Sequence, residues 1–437
     1  MRSGRSVGLW FAAVLAVAAG GPAASQAVSR PPIAAAVVEA EALMRAGRLQ
    51  DAKHVLEVAA RNTPTDNEAQ FLRGLIAVEL HDYQSAIHFF RSILVREPGV
   101  VRVRLELARA FFLAKDYDNA ERQFRFARAG RVPASVAANI DRYLVAIRND
   151  RQFTYGLSVA AAPDTNINAG PAESDVYLYG LPFTLSKDAR RRSGVGLAVD
   201  GSGEWSPYVR SARLRMGAQA HTLWYRAGAF DDVTLGGYVG PRFLSARWDV
   251  SPVLSGFRRW YGNRLYNEAL GASLQASFYT GRRVALNAAV GVQDVHYRLP
   301  EGQSGPAVNG AFGFTYVLNP TSYVSAAVST SRQAARLSAF ANTAVAFDAS
   351  FYSDLPRGYS VAVEPFFASI AYDAPVPAFG VARRDRQWSV RVSLLNRAVE
   401  VFGFAPRLSY IHIHDRSDIS LFSYDREQIE LGVTRAF

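Results

Sequence analysis

The chain has 437 residues, 20% of them charged and 49% hydrophobic, and a formal charge of +11. That length suits two or three ordinary domains, and the absence of cysteine excludes disulfides and thiolate metal sites. Lys53, Lys115 and Lys187 are the only lysines. The positive charge is therefore arginine, dispersed without a basic run, which argues against nucleic acid as a partner.

The first 27 residues read as a signal peptide. Arg2 and Arg5 precede the apolar core "VGLWFAAVLAVAA", and "SQA" at 25–27 offers small residues for cleavage near Ala27. The apolar core is too short for a spanning helix. No cysteine follows the cleavage point, so an unlipidated, exported chain is expected.

From residue 33 to about 131 the sequence repeats with a period of 34, the tetratricopeptide spacing. Ala52, Ala86 and Ala120 fall in register, as do Leu49, Tyr83 and Tyr117, and Leu56, Phe90 and Phe124. Small Ala lets paired helices cross closely, and the bulky residue four places later fills the gap. Pro64 and Pro98 close two units, with Pro133 one place late. Residues 132–150 read as a capping helix, with Ser135 as its N-cap. This gives a domain over 33–150, expected in the periplasm. Its concave face should carry Glu68, Phe71, Leu75, Arg102, Leu105 and Arg109. Those residues would either line a groove for a client protein or pack against the next domain.

After Arg151 the period becomes two. Val284, Leu286, Ala288, Val290 and Val292 share one face of a strand, and Trp388, Val390, Val392 and Leu394 share another. Arg213, Arg215, Gln219 and His221 oppose Leu214, Met216, Ala218 and Trp224. Tight turns are expected at 205–208, 239–242, 280–283, 319–322 and 354–358. Longer loops are expected at 163–193, 299–306, 373–386 and 415–424. Long alternating strands joined by short and long connections in turn indicate a transmembrane antiparallel β-barrel over 153–437, with about 14 strands. The fold class is thus multidomain α + β, a helical solenoid followed by a barrel in the outer membrane of a Gram-negative bacterium. Charge on the lipid side is costly, so Arg213, Arg215, Gln219, Glu364 and Arg391 should face the lumen. The last strand must close the barrel against the first. Its terminal Phe437 resembles the signal read by the outer-membrane barrel assembly machinery.

The order of signal peptide, short tetratricopeptide array and barrel resembles the surface lipoprotein assembly modifier family. "IDRYLVAIRNDRQF" followed by "APDTNINAG" is similar to that family's junction and its Asp-x-Asn-x-Asn segment. The stretch from "GFAPRLSY" to "GVTRAF" is similar to its closing hairpin, although this chain has Ser417-Asp418-Ile419 where the family often reads Ser-Asn-Ile. The resemblance implies a device that helps lipoproteins, and some soluble secreted proteins, reach the cell surface. A polysaccharide exporter, or a passive porin with a repeat scaffold, is the alternative.

Asp164, Asn166 and Asn168, with Asp175 at the twelfth place, have the look of a calcium loop. However, Ala169 stands where glycine is needed and the last ligand is usually Glu, so an Asx-rich turn is the plainer reading. His412 and His414 share a strand face without a third and fourth ligand at zinc spacing. There is no Gly-x-Ser-x-Gly, His-Glu-x-x-His or phosphate-binding loop. No enzyme activity, cofactor or metal is implied.

Overall fold

The computed structural model describes residues 33–61, 65–210, 212–280, 283–298, 300–401 and 403–435. The proposed signal peptide, Pro64 and Phe437 lie outside them. Seven helices come first: α1 (Ile33–Arg45), α2 (Leu49–Ala60), α3 (Asn67–Glu79), α4 (Tyr83–Arg96), α5 (Val101–Leu113), α6 (Tyr117–Ala129) and α7 (Ala134–Asp150). The in-register alanines Ala52, Ala86 and Ala120 are fully buried at the helix crossings. Asp82 and Asp116 cap α4 and α6 through the amide N–H groups of Ser85 and Asn119. Each turn inside a unit needs one left-handed residue, and Gly47, His81 and Lys115 supply it, again 34 apart, with φ of 75°, 61° and 62°. Helix α7 starts directly after Pro133 without a side-chain cap, so Ser135 sits inside its first turn and is not the N-cap.

The strands are β1 (Phe153–Asp164), β2 (Asp175–Leu178), β3 (Leu181–Thr184), β4 (Gly194–Trp205), β5 (Tyr208–Val209), β6 (Ala212–Tyr225), β7 (Asp232–Leu244), β8 (Trp248–Tyr261), β9 (Arg264–Thr280), β10 (Val284–Tyr297), β11 (Gly305–Asn319), β12 (Ser322–Gln333), β13 (Asn342–Asp354), β14 (Tyr359–Val376), β15 (Val381–Asn396), β16 (Ala405–Ser417) and β17 (Tyr424–Thr434). β2 and β3 form a separate hairpin in the first long loop, and β5 is a two-residue pairing at a turn. The other 14 close into an antiparallel ring, each paired with its sequence neighbour and β1 paired with β17. Closure leaves no free edge.

Outward positions carry Val195, Leu197, Leu254, Leu270, Leu274, Val290, Phe312 and Leu431, all exposed. Inward positions carry Gly, Ala, Ser and the charged groups, as period-two alternation requires. No described helix is long and apolar enough to cross a membrane.

Two expected connections are different. Residues 239–242 are not a turn; they continue β7, and the chain reverses at 245–247, where Ser245 Oγ accepts from the amides of Arg247 and Trp248. The β7–β8 register carries Pro241 opposite Pro252. Neither can donate to the ladder, so the pairing skips there while the strand continues. Residues 373–386 are not a loop either. β14 and β15 stay paired out to Val376 and Val381, leaving a turn of residues 377–380.

Candidate functional site

The two-residue connection Arg151–Gln152 leads from α7 straight into β1, so the helices sit at one end of the barrel, called here the near end. Helices α4 to α7 face the rim. Phe126 of α6 is 1% exposed and packs on the stacked rings of Tyr323 and Tyr352 inside the near mouth. Arg148 donates to the Ala246 carbonyl at 2.5 Å, and Arg283 donates to the Ala129 carbonyl at 2.7 Å. Ion pairs add to this: Arg104–Asp354 at 2.8 Å and Arg91–Glu400 at 2.8 Å. Arg151 bridges Asp118 at 3.0 Å and Glu121 at 2.7 Å.

Burial opposes the charge on Glu121, but Arg125 and Arg151 overcome it and hold its carboxyl down at about 2. At Asp118 burial outweighs Arg151 and the carboxyl is raised. Its side chain is 44% exposed against 13% for Glu121, so Glu121 is the firm partner of Arg151. Between α6 and the inner wall lies a cavity of about 610 Å³, bounded by Glu121, Arg122 and Arg125 on the helix side and Tyr279, Asn287 and Thr315 on the barrel side.

The six concave-face candidates lie on α3 and α5, and their contacts are with helices. Phe71 meets Phe90 at 5.7 Å between ring centroids, and Arg102 lies 4.6 Å over the Phe71 ring. Leu75 and Leu105 are half-buried on the helical core. Arg109 reaches Glu79 at 3.4 Å and Glu106 at 3.8 Å, while Glu68 and Arg102 are exposed. The repeat face that carries them therefore stays open, and other side chains hold the barrel.

The five lumen candidates divide. Arg215 pairs with Glu204 at 2.7 Å and reaches Gln275 at 2.8 Å. Arg391 pairs with Glu430 at 2.8 Å, and Arg407 reaches the same carboxylate at 3.2 Å. Gln219 and Glu364 line the cavity that also holds Arg391 and Arg407. Arg213 is different. It is buried at the rim and donates at 2.8 Å to the carbonyls of both Arg148 and Asn149, so it clamps the end of α7.

The Asp-x-Asn-x-Asn segment closes the first long loop at the far end. Asp164 takes hydrogen bonds from Arg426 and from the Tyr225 hydroxyl at 2.9 Å. Asn166 bonds both backbone groups of Gly170 at 2.9 Å, and Asn168 donates to the Arg190 carbonyl at 2.7 Å. Ile167 is buried against Leu223, Tyr225 and Phe230. Asp175 is turned to Ser174 and Thr184. These oxygens serve the fold, and the described residues form no acidic or histidine metal cluster. His412 and His414 face outward, each paired to one carboxylate, Glu427 at 2.5 Å and Asp425 at 2.6 Å.

Comparison with known proteins settles what this architecture belongs to. A family model described as surface lipoprotein assembly modifier matches residues 153–437. The chain belongs to the surface lipoprotein assembly modifier family. A tetratricopeptide-repeat model also matches residues 37–99 and 75–135. The surface lipoprotein assembly modifier of Pasteurella multocida is 20% identical over 409 residues, covering 88% of this chain and 79% of the relative. That of Moraxella catarrhalis is 22% identical over 400 residues, covering 88% and 76%. Surface lipoprotein assembly modifier 1 of Neisseria meningitidis is 23% identical over 206 residues, covering 47% and 41%. Membership supports a role in the surface assembly of lipoproteins, and a closed barrel with an apolar outer wall fits an outer-membrane protein.

Sequence reasoning missed the residues that join the two halves. Arg104, Asp354 and Phe126 carry no motif, and Asp354 was visible only as the first residue of an expected turn. A charged residue on the buried side of a helix, such as Arg104, is the one available signal.

Proposed function

We propose that this member assists the passage of client lipoproteins, or of secreted proteins, across the outer membrane to the cell surface. The near end then faces the periplasm. The repeats receive the client on the face of Glu68, Phe71, Leu75, Arg102, Leu105 and Arg109, and the barrel provides the closed wall in the bilayer. The observation that carries this reading is the division of labour among the helices. Arg91, Arg104, Phe126 and Arg148 hold the rim, while Glu68 and Arg102 are exposed on the repeat face, beside the half-buried Phe71 and Arg109, whose contacts are with helices. A client held there sits at high effective concentration beside the mouth, and Arg with aromatic anchors is the usual composition of protein-binding hot spots. Phe437, beyond the described residues, is assigned to recognition by the barrel assembly machinery.

The test is protease shaving of surface lipoproteins from cells carrying the intact protein, a repeat-deleted form, or the triple variant Phe71→Ala, Arg102→Ala, Arg109→Ala. Client display should fall in the last two while barrel insertion persists. Equal display in all three refutes the receptor role.

A further inference from the structure

The outer face of β15 and β16 is apolar at mid-height and cationic toward the far end. The outward side of β15 is fixed by Trp388, which pairs with Phe367 of β14 and is exposed with it. Outward positions therefore run Leu394, Val392, Val390 and Trp388, then Arg386 and Arg384. On β16 the register sets Tyr410 opposite Val392, His414 opposite Trp388 and Arg416 opposite Arg386. Arg384, Arg386 and Arg416 are all exposed. Arg386 and Arg416 are thus like charges directly opposed on one face, an arrangement that destabilises a strand pair by itself.

The neighbouring carboxylates do not neutralise them. Asp373 of β14 holds Arg332, and Asp425 of β17 holds His414 at 2.6 Å. Asp385 separates two of the arginines in sequence, but it is buried on the lumen side and holds Arg383 at 2.6 Å. Asp418 lies beside the patch, where its amide donates to the Arg384 carbonyl at 3.1 Å. Among the described residues, none of the three guanidiniums forms an ion pair, with Asp418 or any other carboxylate. Three cations beside one acid leave the patch positive. Elsewhere on the same outer face Arg258 and Arg298 share Glu268 at 2.9 Å and 2.7 Å.

The depth of the patch says what meets it. Trp388 stands at the edge of the apolar band, where aromatic side chains mark the membrane interface. Arg386 comes two residues later, roughly 7 Å further along the strand. That is the headgroup layer, and the planar guanidinium fork suits the oxygens of phosphate.

We propose that Arg384, Arg386 and Arg416 bind the phosphate groups of a lipid in the far-side leaflet, with its acyl chains along Trp388, Val390 and Val392. The choice of lipid rests on the near end facing the periplasm, as proposed above. The far leaflet is then the outer one, and the lipid is its phosphorylated glycolipid. The bound phosphates relieve the repulsion between Arg386 and Arg416 and hold this sector of the wall at a fixed depth.

The test uses the full-length protein purified in mild detergent from a Gram-negative outer membrane. Native mass spectrometry reads the lipid retained. Thermal unfolding is followed against added lipid A and, separately, phosphatidylglycerol. Retained glycolipid and a melting temperature raised by lipid A are expected. Arg386→Gln and Arg416→Gln should each weaken the apparent affinity for lipid A about fivefold, the worth of one arginine near an anionic lipid surface. Arg258→Gln, the same charge change on the same outer face, should leave it unchanged. Equal affinities in wild type, Arg386→Gln and Arg416→Gln overturn the proposal, and so does an equal loss in Arg258→Gln, which would mean general charge attraction. If no lipid is retained and neither lipid shifts the melting, the patch is not a lipid site, and the orientation of the barrel is untouched. Phosphatidylglycerol retained and preferred over lipid A refutes the glycolipid and counts against the periplasmic placement of the near end. Heat-modifiable gel mobility checks that each variant keeps its barrel, and Arg384→Gln replaces either arginine variant that does not.

Discussion

Replacing Asp354 by Asn should loosen the repeats from the barrel while leaving the barrel closed. Asp354 ends β13 and accepts from Arg104 at 2.8 Å and Arg397 at 2.7 Å. Asparagine keeps the shape but removes the charge, leaving two buried guanidiniums without their counter-ion. One-sided removal from a buried pair costs about 3–5 kcal/mol. Arg397 belongs to the barrel and cannot escape. Arg104 belongs to α5 and regains water if the helices lift off. The loss should therefore appear as undocking, shifting that equilibrium by on the order of 100-fold or more. Phe126 against Tyr323 and Tyr352 opposes the shift but is unchanged by it. The assay is hydrogen exchange in detergent. Amides of Val101–Leu113 and Tyr117–Ala129 should exchange faster in the variant, with β8 to β12 unaffected. Unchanged exchange in α5 and α6 would show that apolar contact alone docks the repeats and that the ion pair is incidental.

Acid should act on the same junction through Glu121. Its carboxyl lies below the ordinary value of 4.5, at about 2, so its contribution is complete above pH 4.5 and is lost as pH falls through 2. The total is about 3 kcal/mol, and Glu121→Gln should abolish this acid dependence in the unfolding of the helices while lowering their stability at neutral pH. For the wall, Gln219→Cys should react with a water-soluble maleimide in a protein that has no other thiol, and Val290→Cys should be shielded by lipid; the reverse pattern would mean that the strand register is wrong.

The repeat was legible because packing wrote it into residue types. Ala52, Ala86 and Ala120 can be nothing larger where two helix axes cross, so a period of 34 survives in plain view. The turns were less legible. Only Gly47 advertises a left-handed residue, while His81 and Lys115 adopt the same φ unannounced, held by the helices on either side. Local punctuation misled at Gly240-Pro241-Arg242, because proline marks a missing donor and not necessarily a reversal. At 373–386 the composition looked like a loop, yet the paired strands run on beyond the expected end. The pairing that joins the halves was not legible, since a charged residue on the buried side of a helix, Arg104, signals a partner without naming it. Arg104 and Asp354 lie 250 residues apart, and neither has a neighbour in sequence that predicts the other.

The same contrast bears on what can move. Each pair of adjacent wall strands shares a ladder of backbone hydrogen bonds, and opening one exposes a row of unsatisfied groups to lipid. The elements across the two mouths are held otherwise. Helix α6 is kept at the near mouth by Phe126, by the ion pairs of Asp118 and Glu121 to Arg151, and by the Arg283 hydrogen bond to the Ala129 carbonyl. The first long loop is kept at the far end by Asp164, Asn166 and Ile167. Both sets of contacts involve groups that water can satisfy once they separate. Displacing α6 or that loop thus costs a few side-chain contacts, whereas parting two strands costs a ladder. A passage that opens in this protein should open first at its ends.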